Sequence, residues 1–143
     1  MTHPVDRNPV VLVHGIWNTA GIFNPLRTHL EQLGWTVYAL SMTPNNGDAP
    51  IGVLAEQVEA FVHECLEPNQ PFDLVGFSMG GLVSRYYVQR LGGLSRVQRF
   101  ITVSAPHKGL PCTHKSETSL KPLSYKGFRN TLNSQQLPSI ENL

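Results

Sequence analysis

The sequence predicts an α/β fold, a parallel sheet with helices on both faces, and three observations carry that reading. Val10-Val11-Leu12-Val13 and Phe72-Asp73-Leu74-Val75-Gly76-Phe77 are largely apolar runs without polar alternation, as in strands buried on both faces. Amphipathic helical patterns separate such runs, and strands alternating with helices imply parallel pairing through right-handed crossovers. Gly76-Phe77-Ser78-Met79-Gly80 stands between a strand pattern and a helical one, the G-x-S-x-G arrangement whose sharp turn lifts a serine hydroxyl above a parallel sheet.

The elements follow in order. The first strand, Val10–Val13, ends at His14-Gly15. A helix is expected from Asn24 as N-cap with Pro25 at the first helical position, carrying Phe23, Leu26, Leu30 and Leu33 on one side and stopping at Gly34. Trp35–Leu40 reads as the second strand, and 42–50, rich in Asn, Gly and Pro, as a loop. Leu54, Val58, Phe61, Val62 and Cys65 mark a second helix that ends before Pro68. The third strand is Phe72–Phe77, and Leu82, Val83, Tyr86, Tyr87 and Leu91 line a third helix closed by Gly92-Gly93. Arg99–Ser104 is the fourth strand, and the expected spatial order of the strands is 2-1-3-4. The loops at the C-terminal strand ends then form the working face, where Gly15–Trp17, Asn45–Asp48, Ser78 and Ala105–Gly109 fall.

A chain of 143 residues is one domain with room for a real core. A net charge of +1 gives no electrostatic case for nucleic acid or an anionic membrane surface. The longest apolar stretches are far short of a membrane span. Residues Met1 to Pro9 show no signal peptide, so the expected location is cytoplasmic. Cys65 and Cys112 are too few for a disulfide framework, and the six histidines lack metal-ligand spacing, so no metal site is expected.

Acyl transfer through serine needs an exposed hydroxyl, a base to take its proton and donors for the oxyanion. Ser78 supplies the hydroxyl; its bland reading is a helix-capping serine. In sheets of this kind one oxyanion donor is the N–H of the residue after the nucleophile, here Met79, and the other comes from the loop after an earlier strand, here Ile16. Ile16, Trp17, Ile22 and Phe23 either line a groove for an acyl chain or simply cover the sheet.

Asn8–Ile16, the segment Gly76–Gly81, the helix Leu82–Val88 and Ile101–Gly109 resemble the small bacterial lipases of the α/β-hydrolase fold, at matching spacings over residues 8–110. The resemblance implies hydrolysis of carboxylic esters, with triacylglycerols and other lipids or small esters as substrates and no cofactor. It places the nucleophile at Ser78 and the oxyanion donors at the N–H groups of Ile16 and Met79. The same turn serves other acyl acceptors, so an acyltransferase or a thioesterase is an alternative.

The triad order Ser, then Asp or Glu, then His does not appear. After Ser78 the only carboxylates are Glu117 and Glu141, and the only histidines, His107 and His114, both precede Glu117. His107 matches the Pro-His position of the lipases, a supporting histidine; His107, His114 and a displaced Asp48 are the minor candidates for base and acid. Composition also breaks: residues 111–143 hold no Val, Ala or Asp, whereas residues 1–110 hold thirteen valines. We therefore expect a hydrolase core over 1–110 whose C-terminal strands are missing, with an irregular polar tail over 111–143, as in a truncated or frame-shifted hydrolase. A compact variant with a rebuilt base and an inactive binding module are the rival readings. Phe100–Val103 would be an exposed apolar edge, through which self-association is expected.

Overall fold

The computed structural model of the chain describes residues 7–108. The tail over 111–143, its possible short helix around residues 127–136, and His114, Glu117 and Glu141 lie outside the described residues.

Four parallel strands, β1 (Val10–Val13), β2 (Val37–Leu40), β3 (Phe72–Phe77) and β4 (Val97–Val103), form one sheet in the order β2-β1-β3-β4, as expected. Helices α1 (Asn24–Gln32), α2 (Ile51–Cys65) and α3 (Met79–Arg90) connect them. The unalternating β1 run is explained by its place between β2 and β3: Val11, Leu12 and Val13 are fully buried. On one face Leu54, Val58 and Val62 of α2 and Val83 and Tyr87 of α3 pack over Val11, Val13, Phe72 and Leu74. On the other face Phe23 covers Val10, Leu12 and Val37, with Leu30 and Trp35 at its margin. Asp73, a carboxylate within the buried β3, is held by Arg99 at 3.1 Å and by the Asn8 side-chain amide at 3.3 Å, the pairing that a buried charge requires. Among the described residues no helix is long and apolar enough to cross a membrane.

Three boundaries differ from expectation. Asn24 is not an N-cap; it is helical at φ −51° and ψ −45°, because a 3₁₀ turn, Ala20–Phe23, runs straight into α1. The cap sits earlier, where Thr19 Oγ1 accepts a hydrogen bond from the Gly21 N–H at 3.3 Å. β2 starts at Val37 rather than Trp35, whose N–H closes α1 on the Leu30 carbonyl at 3.0 Å. β4 starts at Val97, ahead of the expected Arg99, because an irregularity between Phe72 and Asp73 shifts its register on β3. Leu26 and Leu33, expected on the packed side of α1, are 41% and 53% exposed. The sheet beneath α1 covers only Phe23 and Leu30.

Candidate active site

The ends of β1 and β3 lie side by side, with Val13 opposite Gly76, so the residues that follow each strand are brought together. Ser78 is the turn between β3 and α3. It stands at φ +53° and ψ −122°, outside the regions that a residue with a side chain ordinarily occupies. Two backbone hydrogen bonds hold it there: its N–H donates to the Val103 carbonyl at 2.8 Å, and its carbonyl accepts from the Gly81 N–H at 2.9 Å. α3 can start this close to the sheet because position 80 is glycine; a β-carbon there would run into the carbonyl oxygens of Val13 and His14.

Met79 is the first residue of α3, so its N–H has no acceptor within the helix and lies at the positive end of the helix dipole. Ile16, in the turn after β1, is half-buried against the core under the sheet. Among the described residues neither the Ile16 nor the Met79 N–H finds an acceptor. Gly15, next to Ile16, abuts Ser78 directly. The structure thus brings Ser78, Met79 and the Ile16 turn to one place. Backbone strain gathers there too: of the four non-glycine residues with positive φ among the described residues, Trp17, Ser78 and Ser104 follow β1, β3 and β4, while Asn69 lies elsewhere.

Of the four apolar residues in the loop after β1, Phe23 covers the sheet and Ile16 packs into the core. Trp17 and Ile22 stay open to solvent, at 64% and 43% exposure.

Of the minor base and acid candidates, the two among the described residues, His107 and Asp48, make no hydrogen bond to Ser78. His107 Nε2 is paired with Thr102 Oγ1 at 3.0 Å, and its Nδ1 is buried without a partner among the described residues. Burial, and after it the Arg85 guanidinium, push the His107 pKa below the ordinary imidazole value. Asp48 is exposed and bonded within its own loop, accepting from the Asn46 side-chain amide at 2.7 Å. Neither joins the other or Ser78. Among the described residues no cluster of His, Cys, Asp or Glu could hold a metal ion.

The sequence gives the His14 side chain no role of its own beyond its place at the end of β1. The ring is fully buried, accepts a hydrogen bond from the Met42 N–H at Nε2 (2.8 Å), and lies 2.8 Å from the Gly15 carbonyl through Nδ1.

Residues 9–137 match the model of the family described as palmitoyl protein thioesterase. The chain belongs to that family. It is 31% identical over 106 residues to Palmitoyl-protein thioesterase 3 of Dictyostelium discoideum, a match covering 71% of this chain and 36% of that protein. It is 30% identical over 116 residues to a triacylglycerol lipase of Pseudarthrobacter phenanthrenivorans, covering 76% of this chain and 36% of the lipase. The chain therefore spans about a third of the length of the curated relatives it matches. Among solved structures, a monoacylglycerol lipase of Paleococcus ferrophilus superposes with a TM-score of 0.61 at 22% identity, over 76% of this chain and 44% of that one. An extracellular α/β-hydrolase from a Paenibacillus species superposes with a TM-score of 0.59 at 24% identity, over 88% of this chain and 52% of that one. The fold is that of the α/β-hydrolases, and the family and its relatives are hydrolases acting on esters.

Proposed function

We propose that this chain carries the acyl-transfer half of a serine hydrolase site, with Ser78 as nucleophile and the Ile16 and Met79 N–H groups as oxyanion donors. The observation that carries the proposal is the strained Ser78 turn, flanked by two backbone N–H groups that have no acceptor among the described residues. Ser78 Oγ attacks the acyl carbon, and the carbonyl oxygen takes its charge between the two donors. The alcohol or thiol then leaves with the serine proton, and water releases the acid from the acyl-enzyme. Losing one such donor typically costs about 10²–10³ in rate. The elbow geometry of Ser78 is what the mechanism needs: a hydroxyl held clear of the strand by a turn that the surrounding hydrogen bonds enforce.

The substrate class we favour is the thioester of a lipid acyl chain. A thiol leaves as thiolate with a pKa near 8.5, so it asks less of a proton donor than an alcohol does. That difference matters in a site where no imidazole among the described residues reaches Ser78. Membership in the thioesterase family supports the same choice. A matched pair of acyl substrates, one thioester and one oxygen ester, decides between them. The thioester should turn over faster, and equal or reversed rates would return the oxygen ester to first place.

One observation favours a second reading, a scaffold without catalysis: no described side chain hydrogen-bonds Ser78 Oγ. The pH profile of acylation separates the two. A plateau near neutral pH reports a base that takes the serine proton. A rate that climbs steadily with hydroxide concentration reports none.

A further inference from the structure

We infer that His14 and Gln57 are positioning residues, which together aim the Gly15–Ile16 peptide at Ser78. The inference rests on the reading of Ile16 as an oxyanion donor. The Met42 N–H can only donate, so His14 Nε2 must accept, and the ring hydrogen sits on Nδ1, where it donates to the Gly15 carbonyl at 2.8 Å. The Gly15 C=O and the Ile16 N–H belong to one planar trans peptide and point in opposite directions. Fixing the carbonyl on His14 therefore fixes the direction of the N–H. The Asn18 N–H, donating to the same carbonyl at 3.3 Å, holds it from a second side.

A brace needs a firm far end, and α2 supplies it. The Gln57 side-chain amide grips Thr43 twice: the Thr43 N–H donates to Oε1 at 2.9 Å, and Nε2 donates to the Thr43 carbonyl at 2.6 Å. Thr43 follows Met42, so the hydrogen bond from Met42 to His14 starts from backbone already anchored to a helix. Three further bonds lace the two loops together. The Trp17 N–H donates to the Asn45 carbonyl at 2.7 Å, the Asn45 side-chain amide to the Asn18 carbonyl at 2.8 Å, and the Ala20 N–H to Ser41 Oγ at 3.0 Å. The line of restraint runs from Gln57 through Thr43, Met42 and His14 to the peptide beside Ser78. His14 acts through that peptide and has no need to touch a substrate.

The test uses the full chain, labelled with ¹⁵N, and Gln57→Ala, which removes the grip on Thr43 from the solvent side of α2. The wild-type His14 ring should carry its hydrogen on Nδ1 with Nε2 bare, and the Met42 and Trp17 amides should exchange slowly with solvent. In Gln57→Ala both amides should exchange about tenfold faster, and the Ile16 amide resonance should move. Fluorophosphonate labelling of Ser78 should slow by about ten- to a hundredfold, through its maximal rate rather than the concentration giving half that rate, because the oxyanion forms only in the transition state. A ring hydrogen on Nε2, or a Met42 amide that exchanges as an open loop does, overturns the brace. Lost protection with an unmoved Ile16 resonance or an unchanged labelling rate overturns its positioning role. If wild-type Ser78 takes no label at all, the proposed function fails, and the ring tautomer, amide exchange and Ile16 resonance alone decide the brace.

Discussion

The backbone of Gly15 lies so close to Ser78 that a β-carbon at position 15 would stand 2.9 Å from Ser78 Cβ and 3.1 Å from the Phe77 carbonyl oxygen. Neither neighbour is the free end of a flexible side chain; one belongs to the strained turn and the other to the β3 backbone. Gly15→Ala should therefore push the loop after β1 away from Ser78. We expect a stability loss of about 1–3 kcal/mol by chemical denaturation, the usual cost of overpacking. Fluorophosphonate labelling of Ser78 should fall at least tenfold, by analogy with other small misplacements of catalytic groups. A variant that labels and unfolds like wild type would show that the two loops do not meet this closely.

Leu54 lies fully buried in α2, within the cluster that includes Val11, Val13 and Leu74. Leu54→Ala should cost about 2–5 kcal/mol, the transfer free energy of the lost side chain plus the cavity it leaves. Urea denaturation measures this directly; a loss under about 1 kcal/mol would mean that α2 is not packed on the sheet as described.

Stability should depend on pH through His107. Burial and the Arg85 guanidinium hold its pKa below the ordinary value of about 6.5, so the folded chain takes up this proton at lower pH than the unfolded chain does. Between the two values the unfolded state binds more protons, and stability rises with pH. The contribution is complete above about 6.5 and is lost as the pH falls through the folded value. Thermal melts between pH 7 and pH 5 should show a declining Tm, and His107→Gln should flatten part of that decline. An unchanged slope in the variant would remove His107 as its source.

Among the described residues β4 is paired only with β3, and Ile101 and Val103 on it are 50% and 47% exposed. We propose that copies of the chain associate through this strand, since an apolar edge with unpaired N–H and C=O groups templates further pairing. Sedimentation velocity should show association of the wild type that weakens in Ile101→Lys/Val103→Lys. A wild type that stays monomeric at tens of micromolar contradicts the proposal.

β1 and β3 are legible to the residue because both faces of each are largely covered, so β1 reads as an unbroken apolar run and β3 as one interrupted at the paired Asp73, and a turn signal closes each run. The start of α1 was not legible: Thr19 and Asn24 are both good capping residues, and only the 3₁₀ turn between them decides which one serves. β4 reads late, from Arg99, because the polar Gln98 separates Val97 from the apolar run, whereas the register shift on β3 keeps Val97 and Gln98 in the strand. The neighbourhood of Ser78, Met79 and Ile16 could be read because a strand–turn–helix is local and the parallel register brings two strand ends together. The two hydrogen bonds of His14 could not. Their far partner is the Met42 backbone N–H, 28 residues away in sequence, and no side chain marks a particular backbone amide as a partner.

On the proposed mechanism, Ser78 is the position that takes an acyl group. A fluorophosphonate probe, incubated with the wild-type chain and with Ser78→Ala and mapped by peptide mass spectrometry, tests it most directly. One adduct is expected, on Ser78, and none in the variant. Label that persists in Ser78→Ala, or that sits on another residue of the wild type, would contradict it.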